Sequence, residues 1–188
     1  MNKRKIIACA MVALCLSLVG YGTHAYYTHD DIARNVITTG NIKIDLQEFM
    51  LNQDGELVPF EDQTNVMPGM EVSKIVQIEN TGDNEAYIRV SVDKAITLAN
   101  GDSENVDLSL VTYDVNTTDW TEKDGYYYYN KALNPGETTS ALFTKVIFAK
   151  NMGNEYQNSE AVVTVRAYAT QVVNNGETVL DALGWPEE

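Results

Sequence analysis

The sequence predicts an all-β fold, an antiparallel sandwich, and three observations predict it. Apolar and polar residues alternate with period two through much of the chain, turn residues punctuate the alternation at fairly regular spacing, and no long helical period occurs. Alternation marks strands with one buried and one wet face, because successive side chains of a strand point to opposite sides.

The first 25 residues stand outside this pattern. Lys3, Arg4 and Lys5 precede an apolar run over residues 6–19, and Gly22-Thr23-His24-Ala25 leads into polar Thr28-His29-Asp30-Asp31. A basic start, an apolar stretch and a small-residue end are the layout of a cleavable signal peptide. Signal peptidase accepts small side chains in its shallow pockets, so Thr23 and Ala25 place the cut before Tyr26. The run of 14 residues at 6–19 falls short of the roughly 20 that a spanning helix needs. Gly20, Gly22 and Thr23 interrupt any extension, so no permanent membrane anchor is expected. The chain is thus read as 1–25 signal peptide, 26–40 N-terminal segment and 41–188 sandwich domain.

Strand signals follow in order. Asn41-Ile42-Lys43-Ile44-Asp45-Leu46-Gln47 alternates cleanly, as do Tyr87-Ile88-Arg89-Val90-Ser91-Val92-Asp93 and Asp107-Leu108-Ser109-Leu110. Two longer runs cover 138–149 and 160–173. In the second, Ala161, Val163, Val165, Ala167 and Ala169 share one face, which reads as a long central strand with small residues inward. Asp54-Gly55, Pro68-Gly69, Asn80-Thr81-Gly82-Asp83, Asn100-Gly101-Asp102, Asp124-Gly125, Asn134-Pro135-Gly136 and Asn174-Asn175-Gly176 mark the turns. One short helix is expected at the C-terminal end, over 177–183.

Composition narrows the chemistry. Both cysteines, Cys9 and Cys15, lie in the signal peptide, so the exported chain is expected to hold no disulfide, thiolate metal site or cysteine nucleophile. The remaining 163 of the 188 residues are enough to build a core without disulfides. Residues 1–25 hold three of the 13 basic residues and no acidic one, so ten basic face 27 acidic residues after cleavage, a net charge of −17. Such a surface repels nucleic acid and anionic lipid.

Of the two histidines, His24 leaves with the signal peptide and His29 lies near the new N-terminus. One histidine cannot supply a His-Glu-x-x-His zinc motif, and no Gly-rich phosphate loop occurs. The acids fall in turns and on wet strand faces, with no outstanding pair for glycosidase work. Asn52, Asp54, Gly55 and Glu61 match positions 3, 5, 6 and 12 of an EF-hand loop, but Met50 occupies the first ligand position and a strand, not a helix, precedes it. A turn at Asp54-Gly55 accounts for it better. No catalytic residue, metal site or cofactor is expected, and loop-bound calcium elsewhere is left unassigned. Tyr126, Tyr127, Tyr128 and Tyr129 form a run in which alternation sends two rings each way. They either pack beside Trp120 or present a surface that stacks on sugar or protein.

Three stretches together resemble the TasA/camelysin family. The first, from Gly22 through Asp30 and from Asn35 to Leu46, is similar to the export segment processed by a SipW-type signal peptidase, with Tyr27, His29 and Ile37 departing from its usual residues. The second comprises Met67-Pro68-Gly69, Lys74, Asn80-Thr81-Gly82 and Ala86-Tyr87-Ile88-Arg89-Val90. The third joins Asp124-Gly125 and the tyrosine run to Leu133-Asn134-Pro135-Gly136-Glu137-Thr138, Leu142-Phe143 and Ala167-Tyr168-Ala169-Thr170-Gln171.

The resemblance implies a jelly-roll-like β-sandwich secreted to the extracellular matrix or cell surface of a Gram-positive bacterium. It implies a structural subunit of biofilm fibres and a homopolymer; no enzymatic activity is expected, because one remaining histidine and no cysteine leave only carboxylates to hold a metal. It also implies that the segment freed by cleavage, with Ile32, Val36 and Ile37, adds as a donor strand to the next subunit; the alternative is that this stretch packs on its own domain or stays loose. A monomeric adhesin acting through the tyrosine run is the alternative. A camelysin-like metallopeptidase is a third reading, against which the lack of histidine and cysteine ligands weighs.

Overall fold

The computed structural model describes residues 42–63 and 67–186. The expected signal peptide (1–25), the N-terminal segment 26–40 and the residues named in them lie outside these.

Ten strands, all antiparallel, build the described structure: β1 Ile44–Leu51, β2 Leu57–Pro59, β3 Glu71–Ser73, β4 Ile75–Asn80, β5 Ala86–Thr97, β6 Val111–Tyr113, β7 Trp120–Lys123, β8 Tyr126–Tyr129, β9 Lys145–Phe148 and β10 Glu160–Gln171. The hydrogen-bonded orders are β2-β1-β4, β3-β9-β6 and β10-β5-β8-β7. The first two form one layer. β3 and β4 are a single strand interrupted at Lys74, and the run ahead of β9 continues the pairing alongside β4. There the Val76 N–H donates to Phe143 O (3.2 Å), the Leu142 N–H to Val76 O (2.9 Å) and the Thr139 N–H to Ile78 O (2.9 Å). The expected strand over 138–149 is therefore irregular in its first half and regular only in β9.

Between this layer and the four-stranded sheet lies the core. Ile44, Val76 and Ile78 from one side meet Ala86, Ile88, Val90, Val165, Ala167 and Ala169 from the other, joined by Trp120, Tyr129, Leu142 and Phe143. The alternation read from sequence puts these residues inward. Two tight turns explain the hairpins. β1 and β2 are joined at Gly55 (φ 78°), and β7 and β8 at Asp124 (φ 53°) and Gly125 (φ 81°). Two successive positive φ values match the right-handed twist of the flanking strands.

Three sequence expectations are corrected. β10 is not central but terminal in its sheet. It reads as central because both faces of its second half are covered, Ala167 and Ala169 by the core, Tyr168 by Tyr126 and Arg89, and Thr170 by Leu183. Leu108–Leu110 is a 3₁₀ turn, not a strand. The Asp107 carboxylate accepts from the Ser109 N–H (2.9 Å) and hydroxyl (2.6 Å), and this local bonding outcompetes a ladder. The helix expected over 177–183 is absent, replaced by turns. Seven residues give too few backbone bonds to offset nucleation. Val179, Ala182 and Trp185 are instead spent on packing against the sheet.

Candidate functional site

Alternation along β5 sends Ala86, Ile88 and Val90 to the core and Tyr87 and Arg89 to the outer face. The register sets Arg89 opposite Tyr128 of β8 and Tyr168 of β10, and Tyr87 opposite Thr170. Tyr126 and Tyr128 project outward while Tyr127 and Tyr129 project inward, so the tyrosine run divides as its period requires. Tyr129 packs on Trp120 with ring centroids 5.1 Å apart, and the Trp120 indole N–H donates to Ser140 O (3.2 Å).

The outer rings form an aromatic platform with a cation in its middle. The Arg89 guanidinium lies 4.0 Å from the Tyr126 ring centroid, 4.8 Å from Trp185 and 5.3 Å from Tyr168. Guanidinium stacks well on aromatic faces and is weakly hydrated, which suits this setting. It donates to Pro186 O (3.3 Å).

Residues 172–186 run across this platform as a strap. Val179 and Ala182 are buried with Tyr87 and Tyr128, and Trp185 meets Tyr128 edge-on at 5.8 Å. The Tyr87 hydroxyl donates to Gly176 O (3.4 Å) and the Lys123 ammonium to Leu180 O (3.3 Å). At the strap's ends the Thr170 hydroxyl donates to Leu183 O (2.9 Å), and Asn175 bridges residues 171 and 183. Of the four tyrosines named from sequence, Tyr128 and Tyr129 are buried, and Tyr126 and Tyr127 are half-buried.

Shifted titrations in the domain trace to hydrogen bonding and to burial. Ser140 and Asn116 donate to the Asp119 carboxylate and hold it below the usual carboxylate range. Burial drives the Tyr113 phenol far up, and the nearby Tyr127 and Asp93 add to this. Tyr127 is raised by burial and then by Glu122. Among the described residues no three His, Cys, Asp or Glu side chains converge where they could hold a metal ion, and neither histidine lies among them. The Asn52 to Glu56 stretch is the β1–β2 turn. There Asn52 Oδ1 accepts from the Asp54 (3.0 Å) and Glu56 (2.8 Å) N–H groups, so the oxygen that would face a cation is used by the backbone.

Thr23, Ala25, Tyr26, Ile32, Val36 and Ile37 lie outside the described residues. Sequence reasoning missed Arg89, Tyr168, Trp185 and Asn175 as one constellation. Period two puts Arg89 and Tyr168 on outward faces, but only the β5–β10 register brings them together. No helix among the described residues is long and apolar enough to cross a membrane. A family model described as camelysin metallo-endopeptidase matches residues 1–116. No curated protein and no solved structure matches the chain.

Proposed function

The chain belongs to the camelysin metallo-endopeptidase family, and from that premise we propose that it is a secreted structural subunit, a TasA-like component of an extracellular biofilm fibre or cell surface. The observation that carries this reading is the state of the sheet edges. Val162 on terminal strand β10 is 45% exposed, whereas terminal strand β2 is short and ends on Pro59. Natural edges are usually blunted by charge or proline, and apolar side chains on an edge suit the arrival of another strand. The freed segment with Ile32, Val36 and Ile37 supplies such a strand from a second copy, after a SipW-type peptidase cuts before Tyr26.

Protein beginning at Tyr26 is expected to form fibres under negative-stain microscopy, and protein beginning at Asn41 is not. Identical assembly by both removes the donor segment from the reading. Val162→Lys in the longer form is expected to reduce fibre formation. The peptidase reading is carried by the family's description and opposed by the donor set. His29 and scattered carboxylates do not make the three-ligand open site of a catalytic zinc. Chelator-sensitive cleavage of casein by the fibre-forming preparation would establish that activity instead. The adhesin reading rests on Tyr126 and Tyr128, which face outward beneath the strap.

A further inference from the structure

One side chain closes the strap. Asn175 Nδ2 donates to Gln171 O (2.8 Å), Leu183 O (2.9 Å) and Thr170 Oγ1 (3.3 Å), and its Oδ1 accepts from the Leu183 N–H (2.7 Å). Both ends of the strap are thereby tied to one amide. Its NH₂ group is essential to this, because a carboxylate has no hydrogen to offer and would set oxygen against the carbonyls of Gln171 and Leu183.

The next residue is Gly176. A Cβ added there would sit 2.7–2.8 Å from backbone atoms of Asp181 and Ala182, so packing admits only glycine. Its N–H is 3.1 Å from Asn175 Oδ1, which places the backbone nitrogen against the side-chain amide. The strap thus requires, side by side, the two residue types whose pairing favours cyclisation: an amide side chain, and a successor without a side chain to hinder attack.

We propose that the Asn175-Gly176 pair is a deamidation site and that deamidation unlatches the strap. Hydroxide removes the Gly176 N–H proton, and the nitrogen attacks Asn175 Cγ to form a C–N bond. The bond from Cγ to the amide nitrogen breaks, and that nitrogen leaves as ammonia after taking a proton from water. Water then opens the cyclic imide to aspartate or isoaspartate, with no change of oxidation state. The new carboxylate repels the two carbonyls that the amide held. The packing of Val179, Ala182 and Trp185 and the single bonds from Tyr87, Lys123, Thr170 and Arg89 do not keep the strap seated without this latch, and Tyr87, Tyr128 and Arg89 become accessible.

The chain carries its own control. Asn100-Gly101 is the same pair in an exposed turn, where Asn100 Oδ1 accepts only from the Asp102 N–H (2.9 Å) among the described residues and ties down no second segment. The full chain is aged at mildly alkaline pH until Asn100 has converted. It is then mapped by mass spectrometry and hydrogen exchange, with tryptophan fluorescence followed in parallel. Conversion at Asn175, with exchange across 177–186 accelerated about tenfold or more, a red shift in fluorescence, and β5 and β10 still protected, is the expected result. Asn175→Asp in the full chain reproduces it without ageing, and Asn100→Asp does not. Intact Asn175 at complete Asn100 conversion overturns the site. Unchanged exchange in converted chains, or loss of protection throughout the sheet, overturns the latch.

Discussion

At the scale of single residues, polar groups in this domain act as fasteners. Asn80 is fully buried. Its Nδ2 donates to Asn84 O and Leu133 O (2.8 Å each), and its Oδ1 accepts from the Gly82 N–H (3.0 Å). Asn80→Ala removes all three bonds and leaves a void in a fully buried site, and chemical denaturation is expected to show a loss of about 2–3 kcal/mol. Asp114 fastens the run before β9. Burial would raise its carboxyl, but hydrogen bonds from the Thr144 hydroxyl and from the N–H groups of Thr144 and Lys145 outweigh it and lower the pKa. A depressed folded value stabilises fully above the ordinary aspartate pKa of about 3.9, and that contribution is lost as pH falls through the folded value. Asp114→Asn is therefore expected to flatten the acid side of a stability-against-pH curve and to lower the neutral plateau. Asn80 announced itself in sequence as part of a turn; that it would be buried did not follow, because turns are usually wet.

Lys74 shows how an element absorbs a charge. It interrupts the β3–β4 strand, and its side chain is 5% exposed. The ammonium lies 2.9 Å from Glu48 Oε1 on β1, whose side chain is 32% exposed, and 3.8 Å from the Phe60 ring centroid. The two partners are unequal. Removing Glu48 strands a buried cation, while removing Lys74 frees a carboxylate that water reaches. Glu48→Gln is expected to cost roughly 3 kcal/mol, and Lys74→Met to be near neutral or stabilising; paired urea melts decide the order. Element identity was largely legible. Period two located β1 and β5, and Asp124-Gly125 located the β7–β8 hairpin. What the sequence hid was contextual: Asp107 bonding that converts a strand signal into a 3₁₀ turn, and strap residues whose apolar spacing imitates a short helix. Edge and centre were also indistinguishable, because alternation reports burial of faces and not pairing of edges.

On the scale of the whole molecule, a sandwich closed by its own C-terminal strap leaves the aromatic platform occupied, and among the described residues β10 and β7 end the four-stranded sheet. The tyrosine run supplies a core ring at Tyr129 and platform rings at Tyr126 and Tyr128, so one hairpin serves both surfaces of its sheet. The platform was half legible, since period two gives each strand's outward residues but not which of them meet. The β5–β10 ladder has a further consequence. Its 12 paired positions, from Glu160 opposite Thr97 to Gln171 opposite Ala86, form the longest ladder among the described strands and join segments far apart in sequence. Closing so large a loop costs chain entropy before any contact returns it, which slows folding to the regime of non-local β proteins. The longest ladder of the four-stranded sheet therefore waits for residues 160–171. Until β10 arrives, β5 is paired only through its short contact with β8 and offers its other edge along 12 residues, and the time the chain spends in that condition sets its exposure to premature association.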